Sequence, residues 1–131
     1  MRLSLPLSTL AGLALAACAA TAGNMDLADG VTIQDTAIGK VLANDAGMTL
    51  YVFDKDAPGV SNCYGPCAEK WPPQPAAEGQ KLGKGFSIVA RKDGTQQLAW
   101  HEKPLYTWFK DHKPGDTTGD GVKGVWHVAR P

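Results

Sequence analysis

The heptapeptide LYVFDKD at residues 50–56 returns as LYTWFKD at residues 105–111. Both copies read Leu-Tyr-x-aromatic-x-Lys-Asp, and a tryptophan follows the tyrosine of each copy by 20 residues, at Trp71 and Trp126. The two tyrosines and the two tryptophans are therefore each separated by 55 residues. A repeat of this length indicates one supersecondary unit used twice. Because a lone hairpin cannot bury enough surface to be stable, we expect two units that share one core.

The pattern of apolar residues around the heptapeptides is typical of short strands. Tyr51 and Phe53 lie on one face of a strand over residues 48–55, because side chains alternate along a strand. Asp93-Gly94 lies between two alternating runs and predicts a two-residue hairpin turn. Further strands are expected at residues 40–43, 86–92, 96–100, 105–110 and 125–129.

The composition supports a small β-rich fold. Fifteen glycines and nine prolines favour short strands and turns over long helices. The sequence predicts a mainly β, compact domain over residues 31–131, made of two related hairpin-type repeats with long loops. We place repeat one at about 38–75 and repeat two at about 93–131.

Charge and hydropathy argue against a nucleic-acid partner and against a membrane-spanning segment. Lys plus Arg and Asp plus Glu both number 13, so the chain lacks the basic surplus that nucleic-acid binding normally requires. No segment reaches the roughly 18–20 consecutive apolar residues that span a bilayer.

The N-terminus has the pattern of an export signal. Arg2 precedes a mostly apolar run that ends in Leu15-Ala16-Ala17-Cys18, which resembles the lipobox of bacterial lipoprotein signal peptides. The resemblance implies cleavage before Cys18, which would carry the lipid anchor. We therefore expect a signal peptide at residues 1–17 and a flexible tether at 18–30, with the membrane as partner through the lipid. Ala19 resembles the outer-membrane sorting pattern, which would face the protein towards the periplasm in a Gram-negative cell. An ordinary secretory peptide is the alternative.

Cys63 and Cys67 then remain as an even pair around a Gly-Pro turn. In an exported protein this pair most simply forms a disulfide. Two alternatives stay open: a copper or zinc site completed by a histidine, and a redox-active dithiol.

The repeated motif resembles that of a known group of bacterial lipoproteins with a tandem secreted repeat, recognised by Tyr-x-(Phe/Trp/Tyr)-x-x-Asp. The matching residues are Tyr51, Phe53 and Asp56 in one copy and Tyr106, Trp108 and Asp111 in the other. The resemblance implies export and duplication, and it brings no catalytic residues because the function of the group is not established.

The motif residues admit a structural and a functional interpretation. In the first, the tyrosines, the central aromatics, Trp71 and Trp126 form the core and the aspartates cap turns. In the second, the Tyr hydroxyls and the Asp carboxylates line one open groove between the repeats and bind a ligand. Burial of these groups would favour the first interpretation.

Candidate metal ligands are weak. His101, His112 and His127 lie far apart in sequence, and residues 116–121 match a calcium loop only in part, because the twelfth position is a histidine. We assign no metal and no cofactor.

No nucleophile elbow, phosphate loop or His-Glu-x-x-His motif occurs in the chain, and we assign no catalytic residue. The sequence therefore favours a lipid-anchored cell-envelope protein that acts as a non-enzymatic binding or structural module, with an unknown envelope ligand or protein as partner. The alternative is a metal-binding or thiol-redox envelope protein that uses Cys63 and Cys67.

Overall fold

The computed structural model describes residues 25–131, and these residues form a mainly β domain, as predicted. The signal peptide at 1–17, Cys18 and residues 19–24 of the predicted tether lie outside the described residues. The elements in chain order are β1 (Val31–Thr36), β2 (Gly39–Asn44), β3 (Tyr51–Phe53), α1 (Pro66–Lys70), β4 (Phe86–Ala90), β5 (Gln96–Trp100), β6 (Lys103–Pro104), a 3₁₀ turn (Val122–Gly124) and β7 (Trp126–Val128).

Each repeat begins with an antiparallel hairpin. The predicted hairpin around Asp93-Gly94 is confirmed, since β4 and β5 pair in a register that sets Phe86 opposite Trp100. Its turn is longer than the predicted two residues, because the last bond across it joins the N–H of Arg91 to the carbonyl of Thr95. Its counterpart in the first repeat is β1 paired with β2. We predicted only part of β2 and missed β1, although Val31 and Ile33 alternate with polar residues as strand residues do.

The two repeats are joined by strand pairing. β3 of the first repeat pairs with β7 of the second, with Phe53 opposite Trp126. The backbones of Tyr51 and Tyr106 exchange two hydrogen bonds, of 2.8 and 3.0 Å. The repeated tyrosines therefore face each other where the two units meet.

The predicted strand over residues 105–110 is wrong. In this segment only Tyr106 forms bridges, with Tyr51 and with Pro73. Beyond it, the N–H of Thr107 donates to the carbonyl of Pro72 at 2.9 Å. Because a proline can accept such a bond but has no N–H to return one, a regular ladder cannot continue along this edge.

The core consists of two neighbouring clusters. One lies under the two hairpins and includes Leu42, Leu50, Leu98 and Leu105, all at most 1% exposed. The other contains the repeated aromatic residues together with Cys63.

The end of the predicted tether packs against this core. Ala28 is 2% exposed, and Met25 and Leu27 contact the first cluster. The N–H of Asp29 donates to the carbonyl of Lys81 at 2.8 Å. Residues 25–30 are thus part of the folded domain, and a tether would have to end before Met25.

Replacement of Gly83 by alanine is expected to detach residues 25–30. A Cβ at Gly83 would lie 2.2 Å from the carbonyl oxygen of Asp26, and the residue has φ +66°. We expect a loss of about 1–3 kcal/mol in the free energy of unfolding and faster hydrogen exchange at the Asp29 amide. Gly79 has φ +77° with nothing within 4 Å of its Cβ position, so Gly79→Ala is the matched control. Equal protection of Asp29 in both variants would contradict the prediction.

Candidate functional site

The motif tyrosines and aspartates form two hydrogen bonds that cross between the repeats. The Tyr51 hydroxyl donates to Asp111 Oδ2 at 2.5 Å, and the Tyr106 hydroxyl donates to Asp56 Oδ2 at 2.7 Å. Both tyrosine side chains are fully buried. Each repeat therefore supplies the acceptor for the other repeat's phenol.

The second oxygen of each carboxylate caps a turn, as the sequence predicted. Asp56 Oδ1 accepts the N–H of Asn62 at 2.7 Å, and Asp111 Oδ1 accepts the N–H of Thr118 at 3.0 Å. The cross-repeat bond on the other oxygen was not predicted, because sequence spacing gives the end of a strand but not the partner across the core.

Burial shapes the acidity of these groups. It raises the pKa of the Tyr51 hydroxyl well above its usual value, and the hydrogen bond to Asp111 adds to this effect. Burial likewise raises the pKa of the Tyr106 hydroxyl. Burial also raises the pKa of the Asp56 carboxyl above its ordinary value of 3.8. The two phenols therefore stay protonated at alkaline pH values at which a free tyrosine ionises. The hypothesis of an open groove lined by these hydroxyls and carboxylates is wrong, because they meet in the interior and bind each other.

The repeated aromatic residues form one continuous stack. The ring centroids of Trp71 and Trp126 lie 3.7 Å apart with planes inclined by 3°. Phe53 stacks on the outer face of Trp126 at 4.2 Å, and Trp108 stacks on the outer face of Trp71 at 4.0 Å. Phe53, Trp126, Trp71 and Trp108 therefore alternate between the repeats, and we call them the aromatic stack.

The stack is symmetric in its contacts as well. Tyr51 meets Trp71 edge to face at 5.3 Å, and Tyr106 meets Trp126 in the same way at 5.1 Å. The prediction that Trp71 and Trp126 lie in the core agrees with their exposed fractions of 4% and 3%. Phe53 and Trp108 lie at opposite ends of the stack.

A groove runs along the side of the aromatic stack. All four rings line it, its volume is about 350 Å³, and it lies between α1 and the 3₁₀ turn. Cys67, Val122 and Val125 complete the apolar wall, and Lys55, Lys70 and Lys123 lie at its border. The three lysine side chains are exposed, and none takes part in an ion pair within residues 25–131. We call this the stack groove.

A second recess adjoins the stack groove at Trp108 and Val122. Phe109, Lys110 and His112 line it, and Phe109 is 47% exposed. Lys55 and Lys110 are the equivalent lysines of the two heptapeptides. In each copy of the motif, the aspartate therefore points inward and the lysine before it points outward. The repeated outward lysine is the sequence signal for the stack groove and its adjoining recess, and we did not use it.

A disulfide links Cys63, in the loop that leads into α1, to Cys67 within α1. Arg91, which directly follows β4 in the second repeat, holds this loop. It donates to the carbonyl of Cys63 at 2.7 Å, to Ser61 Oγ at 2.8 Å and to Gln97 Oε1 at 2.7 Å. Arg91 is 5% exposed, and its burial is the feature of this site that the sequence revealed least.

Substitution of Arg91 by alanine is expected to lower the free energy of unfolding by about 3 kcal/mol or more, because it leaves buried acceptors without a donor. Chemical denaturation measures the loss. Lys92→Ala, at the exposed neighbouring position, should stay within about 0.5 kcal/mol of the wild type. A small and equal effect of both substitutions would show that Arg91 does not hold the loop.

The three histidines are not brought together. His101 lies in the turn between β5 and β6, His112 lies in the loop after the second heptapeptide, and His127 bonds to Asp54 at 2.8 Å. Within residues 25–131, no group of three His, Cys, Asp or Glu side chains has an arrangement that could hold a metal ion. In the partial calcium loop, Asp116 Oδ2 accepts the N–H of His112 and Asp120 Oδ1 accepts that of Val128.

A family model for a secreted repeat of unknown function matches the chain twice, at residues 32–74 and 87–130. The chain belongs to this family. The suspected relationship to the tandem secreted-repeat group is thereby confirmed, and with it the duplication. The protein is a member of an exported family, and the described part of the chain has no helix long and apolar enough to cross a bilayer. Searches among curated proteins and solved structures found no match.

Both family matches begin before our predicted repeats at 38–75 and 93–131. The matched copies start at 32 and 87, where β1 and β4 begin their hairpins. The unit of this secreted repeat therefore includes a complete hairpin in front of the heptapeptide, which we left out because we had not recognised β1.

Proposed function

We propose that this secreted-repeat protein is a lipid-anchored envelope protein that acts as a non-enzymatic binding module through the stack groove. The observation that carries the proposal is the combination of four aromatic rings with three lysines that form no ion pair among residues 25–131. Ligand sites are typically concave and apolar, with a few polar groups that fix the orientation of the ligand. The stack groove has both features, whereas the Tyr–Asp pairs are closed.

The lipobox pattern of the N-terminus supports an envelope role. Leu15-Ala16-Ala17-Cys18 has the lipobox pattern, and residues 19–24 would separate the lipid from the packed segment that begins at Met25. Several acyl chains, each worth about 0.8 kcal/mol per buried CH₂, would hold the protein on a membrane. In a Gram-negative cell, Ala19 fits placement at the outer membrane, facing the periplasm.

The anchor is tested by mass spectrometry of the mature N-terminus and by membrane fractionation. A diacylglyceryl-modified Cys18 in the membrane fraction is the expected result, and Cys18→Ala should release the protein or block its processing. An unmodified N-terminus created by cleavage elsewhere would overturn lipid anchoring without touching the binding proposal.

The binding role is tested with the isotope-labelled protein and fractionated envelope extract. We expect backbone amide signals of Lys70, Lys123 and Val125 to shift in at least one fraction, because these residues border the stack groove. Amides of the distant hairpin turn at Asp93-Gly94 serve as the internal control. If no fraction shifts the groove signals selectively, the binding role of the groove is refuted.

One observation favours the thiol-redox alternative. Cys67 is half-buried and lines the stack groove, so a bound molecule would lie beside the disulfide. Intact-mass measurement before and after mild thiol treatment tests this alternative. Reversible reduction of Cys63–Cys67 in the folded protein would support it, and a pair that resists reduction would remove it. The alternative of a metal site at Cys63 and Cys67 requires free thiolates. An intact disulfide without bound metal in the intact-mass measurement would refute it.

A further inference from the structure

The stack groove can use only the edges of its two central rings. Trp126 has Phe53 on one face and Trp71 on the other, and Trp71 has Trp126 and Trp108. Both faces of each central indole are therefore occupied within the protein. A molecule in the groove, which touches all four rings, must meet Trp71 and Trp126 at their edges.

Ring edges and ring faces prefer different ligands. The face of an aromatic ring is electron-rich and its edge is electron-poor. A sugar ring or a ligand cation is normally bound over a free ring face, and the central rings offer none. Edges instead attract electron-rich atoms and the faces of other aromatic rings, which gives the edge-to-face geometry that Tyr51 already has with Trp71.

The charges at the border add to this preference. Lys55, Lys70 and Lys123 surround the stack groove, and none of the described residues that line it carries a carboxylate. The whole chain has equal numbers of acidic and basic side chains, so this surface is a local excess of positive charge. Across the shared residues Trp108 and Val122, Lys110 and His112 continue the positive surface.

The size of the groove sets a third limit. Its volume of about 350 Å³ lies at the lower end of small-molecule sites, which span roughly 300–1,000 Å³. One or two fused rings with a short substituent fill such a space. A folded protein segment or a membrane surface would instead require a broad, open patch.

We propose that the stack groove binds a planar aromatic anion, namely a flat ring system that carries a carboxylate or a sulfonate. The ring lies with its electron-rich face on the edges of Trp71 and Trp126, and the anionic group reaches the lysines at the border. This inference rests on the proposed binding function and assigns its ligand class. It involves no chemical step.

The test uses the purified full-length protein and isothermal titration calorimetry with three matched probes. 2-Naphthoate carries a flat ring and a negative charge, 2-naphthylmethylamine carries the ring with a positive charge, and cyclohexanecarboxylate carries the charge on a ring that is not aromatic. We expect 2-naphthoate to bind about tenfold more tightly than either of the others, since a few partly screened charge contacts supply about this factor. Its binding should weaken as salt is added.

Variants separate the groove from the rest of the surface. The triple substitution Lys55→Gln, Lys70→Gln and Lys123→Gln is expected to weaken 2-naphthoate binding about tenfold. The control variant replaces three exposed lysines outside the groove and has the same change in net charge. Its affinity for 2-naphthoate should stay within about twofold of the wild-type value. The control substitutions are Lys84→Gln, Lys92→Gln and Lys113→Gln. Equal losses in both triple variants, or equal affinity for the naphthyl anion and the naphthyl cation, would overturn the assignment.

The outcome for the ligand class is distinguishable from the outcome for the binding function. Groove signals that shift with an envelope fraction, together with no calorimetric binding of 2-naphthoate, would reject the planar aromatic anion and leave the binding module in place. Failure of every envelope fraction and of all three probes would reject both. Calorimetric binding of 2-naphthoate that is weakened in the groove triple variant alone supports the inference.

Discussion

Substitution of Trp126 by alanine is expected to lower the free energy of unfolding by about 3–5 kcal/mol. Trp126 contacts three aromatic rings, stacking on Trp71 and Phe53 and meeting Tyr106 edge to face. Its loss leaves a cavity at the contact between the two repeats, where a close-packed interior can relax only in part. Urea denaturation of the purified variant measures the change.

The symmetry of the aromatic stack supplies the control. Trp71→Ala removes the equivalent three contacts and should cost a similar amount. Because the two indoles touch each other, the double variant is expected to lose less than the sum of the single losses, by about 0.5–1.5 kcal/mol. Strict additivity, or a cost below about 1 kcal/mol for either substitution, would show that the stack does not hold the repeats together.

Alkaline unfolding is the second large expected effect. The folded protein retains the phenolic protons of Tyr51 and Tyr106 because burial raises the pKa of both, whereas the unfolded chain releases them above a pH of about 10. The unfolded state then binds two protons fewer than the folded state, so stability falls as pH rises. This difference of two protons lowers the free energy of unfolding by about 2.7 kcal/mol for each pH unit above a pH of about 10.

Denaturation curves between about pH 9 and pH 12 measure this slope. Tyr51→Phe and Tyr106→Phe each remove one of the two protons. In each variant the free energy of unfolding should therefore fall by about half as much per pH unit as in the wild type. Phenolate absorbance of the two tyrosines should rise together with unfolding. A stability that is constant across this range would contradict the burial and bonding of the two hydroxyls.

The parts of the fold that follow from local patterns were predictable. The Asp93-Gly94 hairpin follows from turn chemistry, and the burial of Trp71 and Trp126 follows from an exact 55-residue repeat of large apolar side chains. The capping role of Asp56 follows from its place at the end of a strand. Each of these rests on residues close in sequence or on the repeat itself.

The remaining features depend on contacts that carry no local pattern. The exchange of partners between Tyr51 and Asp111 spans 60 residues, and nothing in either heptapeptide distinguishes a bond within the repeat from a bond across it. Arg91 lies in the strand predicted over residues 86–92 at a position like that of any exposed residue, yet it follows the observed strand β4 and is buried under the disulfide loop. The stack groove arises only after the second repeat folds against the first, so its lysines could not be assigned to one surface from the sequence.

The reciprocal Tyr–Asp bonds have a consequence for the origin of the chain. The Tyr–Asp bonds and the aromatic contacts that one copy makes at the centre of the molecule are returned by the other, which is the rule for an isologous interface between identical subunits. A chain with one copy would satisfy its tyrosine and aspartate by pairing with a second molecule of its own kind. The present protein therefore has the architecture of a homodimer fused into a single polypeptide. Fusion freed each half to diverge, and only the half at residues 32–74 carries the disulfide.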